Sequence, residues 1–117
     1  MIKDTVAALP PVTPAVRKKL VAGPRTAELH AALMQQTPAM NAIQVGGAAP
    51  KSVLPDPVTV VAWNVERCLF PEASAAHLAP LAPDIILLSE VDHGMARTGQ
   101  RHATEGFAQS ADMAYAF

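Results

Sequence analysis

Two short apolar runs, Val58-Thr59-Val60-Val61-Ala62-Trp63 and Ile85-Ile86-Leu87-Leu88, constrain the fold of this chain more than any other feature. Each has the length and the branched, apolar character of a strand covered on both faces. Between them, Phe70-Pro71-Glu72 opens an alanine-rich helical stretch through His77 and Leu78, which Pro80 and Pro83 bring to an end. Strand, helix-bearing crossover and strand together predict a βαβ unit, whose default is parallel pairing with a right-handed crossover. Ala103 to Met113 reads as a further helix, and Ala114-Tyr115-Ala116-Phe117 as the start of a third strand. The expected fold class is α/β.

The preceding half of the chain is different in character, because eight of the 11 prolines lie before Val58. Thr13-Pro14 has the N-cap and first-turn chemistry of a helix, Lys18 and Lys19 suit its carboxyl end, and Gly23-Pro24 stops it. A helix is predicted at about 14–22. A second, at about 25–36, places Leu29 and Leu33 on one face and closes at Thr37-Pro38. From 38 to 57 neither helical nor strand periodicity is visible, and a patternless stretch of that length is unusual inside a compact domain. The expected organisation is a Pro-rich helical extension over 1–37, a Pro/Gly-rich linker over 38–57, and an α/β domain over 58–117.

Composition bounds the core and the partners. Half of the residues are hydrophobic, but 23 of them are alanine and only five residues are aromatic, so the core is expected to be thin. The formal charge of −1 leaves no global basic footprint, which disfavours a nucleic-acid coating role while leaving room for a local phosphate site. A lone cysteine, Cys68, cannot form an internal disulfide, which fits a reducing compartment. No apolar run approaches the roughly 20 residues that a membrane-spanning helix needs. These features predict a soluble, cytoplasmic chain.

In an open parallel α/β sheet, ligands bind beyond the carboxyl ends of the strands. Here the residues leaving the first run are Asn64, Val65 and Glu66, and those leaving the second are Ser89, Glu90, Val91 and Asp92. Oxygen donors on adjoining strand ends suit a hard cation such as Mg²⁺, which takes one or two protein carboxylates and completes its shell with water and phosphate oxygens. Strand ends are also polar simply because they meet water.

The two segments Val-Val-Ala-Trp-Asn64-Val-Glu66 and Pro83-Asp84-Ile-Ile-Leu-Leu-Ser-Glu90-Val-Asp resemble the opening of the endonuclease/exonuclease/phosphatase family, the deoxyribonuclease-like Mg²⁺-dependent phosphohydrolases. The resemblance covers about residues 58–117 and leaves 1–57 unplaced. It implies a four-layer α/β sandwich of two packed sheets with outer helices, of which 58–117 would form the amino-terminal βαβ portion. By position, it assigns Asn64 to the catalytic asparagine that hydrogen-bonds the scissile phosphate or a metal-bound water, and Glu90 to the principal Mg²⁺ (or Mn²⁺) ligand. Glu66 matches an acidic position that contributes more weakly to the metal. The implied activity is hydrolysis of a phosphodiester or phosphomonoester, in nucleic acid, a phosphorylated small molecule or a lipid headgroup.

The family's catalytic histidine, its orienting aspartate and its later Asn, Asp and Ser-Asp-His motifs have no counterpart among these residues. The chain is therefore expected to be an amino-terminal fragment of such a hydrolase, inactive alone, with the remainder of the domain downstream. The competing reading is a non-catalytic truncated product or an interaction module acting through its amino-terminal helices.

Other candidates weigh less. His93, Arg97, Arg101 and His102 form a basic loop in which Arg97 is the best match to a substrate phosphate, because guanidinium geometry suits phosphate. A zinc site of His77, His93 and His102 matches no common ligand spacing. Cys68 reads as a small residue in a packed loop, and Trp63 as core.

Overall fold

The structure is a computed structural model that describes residue 2, residues 4–49 and residues 53–117. Pro50, Lys51 and Ser52, inside the expected linker, and Met1 and Lys3, in the expected extension, lie outside the described residues. Among the described residues the fold is mixed α/β, with four α-helices and five short strands in two sheets. Two compact units divide the chain, one of Met1–Val45 with Ala116–Phe117 and one of Gly46–Tyr115.

The first unit holds strand β1 (Asp4–Val6), helix α1 (Pro14–Ala22), helix α2 (Ala27–Gln36), a 3-10 turn (Pro38–Asn41) and the start of strand β2 (Ala42–Gly47). Helix α1 begins where its sequence predicts, and α2 begins at Ala27, two residues after the expected start. The Thr13 hydroxyl accepts from the Val16 N–H at 3.4 Å and the Thr26 hydroxyl from the Leu29 N–H at 3.2 Å, so each satisfies an orphan donor of the first turn. The carboxyl end of α2 is closed from outside the helix. Asn41 is buried, and its Nδ2 donates toward the carbonyls of Met34, Gln35 and Thr37 at 3.2, 3.1 and 3.0 Å.

The expected linker at 38–57 needs correction, because it contains the 3-10 turn and all of β2. β2 runs parallel to β1 with Asp4 opposite Ala42 and Val6 opposite Gln44, and Gln44 exchanges both backbone hydrogen bonds with Phe117. That exchange is the narrow pair of an antiparallel ladder. Pairing partners far away in sequence make this strand, which is why a scan for local periodicity passes over it.

The second unit is built on strand β3 (Val60–Arg67), helix α3 (Pro71–Leu78), a 3-10 turn (Ala79–Leu81), strand β4 (Ile85–Val91), a 3-10 turn (Ala96–Thr98), helix α4 (Ala103–Ala111) and strand β5 (Ala114–Ala116). β3 and β4 pair in parallel, from Val60 opposite Ile85 to Asn64 opposite Ser89. The βαβ unit is thus present. The strand over 114–116 forms too, but it belongs to the sheet of order β1-β2-β5 and not beside β4. Asp84 fixes the starting register. Its backbone N–H donates to Thr59 O at 2.9 Å while its Oδ2 accepts from Thr59 N at 3.0 Å.

Val65, Cys68, Ala75, Leu78, Ala103 and Phe107 form the buried core, with Val61, Trp63, Ile86, Leu88, Val91 and Ala111 packed against it. Phe107 is its one buried aromatic among the described residues, and full burial of such a side chain contributes about 2–3 kcal/mol. The core is as thin as composition predicts. Its residues alternate along both strands, so one face of the β3-β4 pair packs on helices. On the other face Val60 and Leu87 are 52% and 58% exposed. The expectation of strands covered on both faces is corrected accordingly: the unbroken apolar run is there, but the described chain covers only one side. A four-layer sandwich goes beyond these small sheets.

Candidate functional site at the strand ends

Asn64, Glu66 and Glu90 lie within their strands, not after them, because β3 and β4 extend further than their apolar runs. What sets this end apart is its backbone. A bulge interrupts the pairing between Asn64 and Arg67, and Glu66, Arg67 and Cys68 take positive φ of 41°, 78° and 54° in succession. Glu90 on the facing strand has φ 56°. None is glycine, and each left-handed L-residue costs about 1–2 kcal/mol. Strain of this kind collects at functional sites, where the surrounding structure holds it in place.

The bulge brings three side chains together. Asn64 Nδ2 donates to Glu90 Oε1 at 3.0 Å, and Arg67 Nη1 donates to Glu90 Oε2 at 2.9 Å. Asn64 Oδ1 accepts from the Glu66 backbone N–H at 3.1 Å, so the amide is used at both ends and its orientation is set. Arg67 and Glu90 are each nearly half exposed, which keeps the cluster open to solvent. The structure therefore joins Asn64 to Glu90, as expected of neighbouring strand ends. Glu66 contributes its backbone to the cluster, and among the described residues no hydrogen bond or ion pair links its carboxylate to Glu90.

Arg97 has a different partner from the one expected. Its Nε and Nη2 donate to the two carboxylate oxygens of Asp92 at 2.6 and 2.7 Å, a bidentate pair in which Asp92 is buried. The Arg97 hydrogen bonds hold the Asp92 carboxyl below its usual range against the opposing effect of burial, and the charges of Arg97 and Arg67 add to this. A phosphate at Arg97 would have to displace Asp92. Arg101 is likewise occupied, donating to Glu72 Oε1 at 2.7 Å.

The histidines are dispersed by role. His93 and His102 stack with ring centroids 4.2 Å apart, while His77 packs against Trp63 at 5.9 Å. Burial pushes the His102 imidazole below its ordinary value, and His93 adds to the effect while Glu105 opposes it. Cys68 is 1% exposed, and burial, with Glu72 beside it, pushes its thiol up despite Arg101. A buried thiol with a raised pKa is a packing residue, not a nucleophile.

Glu90 offers one half-exposed carboxylate whose oxygens accept from the Asn64 amide nitrogen and the Arg67 guanidinium, so a hard cation there would have to displace Arg67 and complete its shell with water. Among the described residues no three His, Cys, Asp or Glu side chains gather as a metal cluster. Arg67 is the member of the cluster that sequence reasoning missed. Its only signal was a cation three residues after Asn64, meaningful once a bulge turns it toward Glu90. Comparison with family models, with curated proteins and with solved structures returns no match.

Proposed function

We propose that the carboxyl ends of β3 and β4 form the metal- and phosphate-binding corner of an Mg²⁺-dependent phosphoester hydrolase of the endonuclease/exonuclease/phosphatase type. The observation that carries this reading is the 3.0 Å hydrogen bond between Asn64 and Glu90 across adjoining parallel strand ends. Glu90 serves as the principal cation ligand, and Glu66, exposed on the bulge, as a weaker one reached through water. Asn64 presents an amide donor to a phosphate oxygen without placing a second negative charge beside an anion. When bound, Mg²⁺ neutralises phosphate charge and stabilises the departing oxygen.

The substrate class is a phosphate ester, in nucleic acid, a phosphorylated metabolite or a lipid headgroup. Among the described residues, the hydrogen-bonded cluster of Asn64, Arg67 and Glu90 contains no histidine to act as general base, so weak cation binding is expected of it. In the family that the motifs resemble, the general base is a histidine oriented by an aspartate, and neither role is assigned to a residue here.

Mn²⁺ titration of the full chain, followed by loss of the free-ion paramagnetic signal, tests the assignment. Weak binding that disappears in Glu90→Gln is expected. Equal binding by both chains removes Glu90 from the role.

A second reading, an interaction module working through α1 and α2, draws on one observation: neither helix has a buried residue, and Val16 and Val21 on α1 are 41% and 77% exposed.

A further inference from the structure

Glu90 has both carboxylate oxygens engaged, Oε1 by Asn64 and Oε2 by Arg67. Asn64 is neutral, but Arg67 places a full positive charge where a cation would bind. We infer that Arg67 and a divalent cation are alternative partners of Glu90, so that a cation arriving there frees the Arg67 guanidinium to hold a phosphate. The inference rests on the reading of Glu90 as a cation ligand and adds to it a residue that the motifs do not contain.

Three features support the exchange. The Arg67–Glu90 pair lies at the surface, with side chains 44% and 45% exposed, so separating it gives up little packing. Exposed ion pairs are weak, and one that is to be exchanged for a cation has to be weak. Asp92, which also feels the charge of Arg67, already has both oxygens on Arg97 and does not draw the freed guanidinium away. A guanidinium released beside a cation-bound phosphate matches it with two parallel N–H donors, which a lysine ammonium in its place cannot do.

The test measures Mn²⁺ affinity and, at saturating Mg²⁺, phenyl phosphate affinity in the full chain and in Arg67→Gly, Arg67→Lys and Glu90→Gln. Glycine is the safest replacement because it adopts the φ of 78° without strain, and circular dichroism confirms the fold of each variant. Arg67→Gly is expected to bind Mn²⁺ about two- to fivefold more tightly, the range that loss of an exposed ion pair allows. The same variant should bind phenyl phosphate severalfold more weakly, with Arg67→Lys in between on both measures. Unchanged Mn²⁺ affinity or unchanged phenyl phosphate affinity in Arg67→Gly, with binding still lost in Glu90→Gln, overturns the exchange while leaving Glu90 as ligand. Binding that survives Glu90→Gln, or is absent from every chain including Arg67→Gly, overturns the ligand assignment and the exchange with it.

Discussion

The two ends of the β3-β4 pair are made from the same strands and behave in opposite ways. At the amino end Asp84 ties Thr59 through backbone and carboxylate together, and the register runs without interruption from Val60 to Asn64. At the carboxyl end a bulge breaks that register, and four residues, Glu66, Arg67, Cys68 and Glu90, adopt left-handed backbone. One carboxylate, Asp84, starts the regular ladder, whereas the irregular end directs an amide, a guanidinium and a carboxylate to one point. The amino end thus sets the register of the pair, and the carboxyl end, where that register breaks, places the polar groups.

The largest expected effect removes the support of both ends at once. Phe107→Ala deletes the one buried aromatic of the core and should cost about 3–5 kcal/mol, a large share of the stability of a small domain. Urea denaturation reads this directly; a loss below about 1 kcal/mol would show that the helices contribute little to holding the strands.

Cutting the tie at the amino end comes next. Asp84→Ala removes the acceptor for the Thr59 N–H and should cost about 1 kcal/mol, with faster amide exchange at Thr59 and little change at Glu90. Equal changes at the two ends would mean that they are not mechanically distinct.

A smaller effect, of opposite sign, is expected at the bulge. Glu66→Gly relieves a left-handed residue at φ 41° and should stabilise the chain by several tenths of a kcal/mol, after the entropy that glycine adds to the unfolded state. A loss of stability would indicate that the backbone there is not strained.

The smallest effect lies in the loop that follows. His102 is held below the ordinary histidine value of about 6.5, chiefly by burial. Because folding depresses this pKa, its contribution to stability is present above the unfolded value and is lost as pH falls through the folded one. Proton NMR should show His102 titrating below pH 6.5, with the loop between His93 and His102 loosening as it protonates. Titration at or above that pH contradicts the assignment.

Much of the helical architecture was legible in local chemistry. Thr13-Pro14 and Gly23-Pro24 bound α1 because caps are read from adjacent residues, the two apolar runs predicted β3 and β4, and Pro71 with the alanine-rich stretch after it predicted α3. What depends on distant partners was not legible. β2 exists through its pairing with β1 and Phe117, and the exposed face of β3-β4 cannot be told from a covered one by an apolar run. At the site, the meeting of Asn64 and Glu90 followed from strand-end logic. Arg67 on Glu90 and Arg97 on Asp92 did not, because both depend on where a bulge and a turn aim long side chains.

The measurement that bears most directly on the central claim is residue-resolved paramagnetic broadening in the isotopically labelled full chain on addition of substoichiometric Mn²⁺. Selective loss of the Asn64 side-chain amide and of the backbone signals of Glu90 and Arg67 is expected, with Thr59 and Asp84 at the other end less affected, and no such selectivity in Glu90→Gln. Broadening spread evenly over the acidic surface, or the same selective pattern persisting in Glu90→Gln, would contradict it.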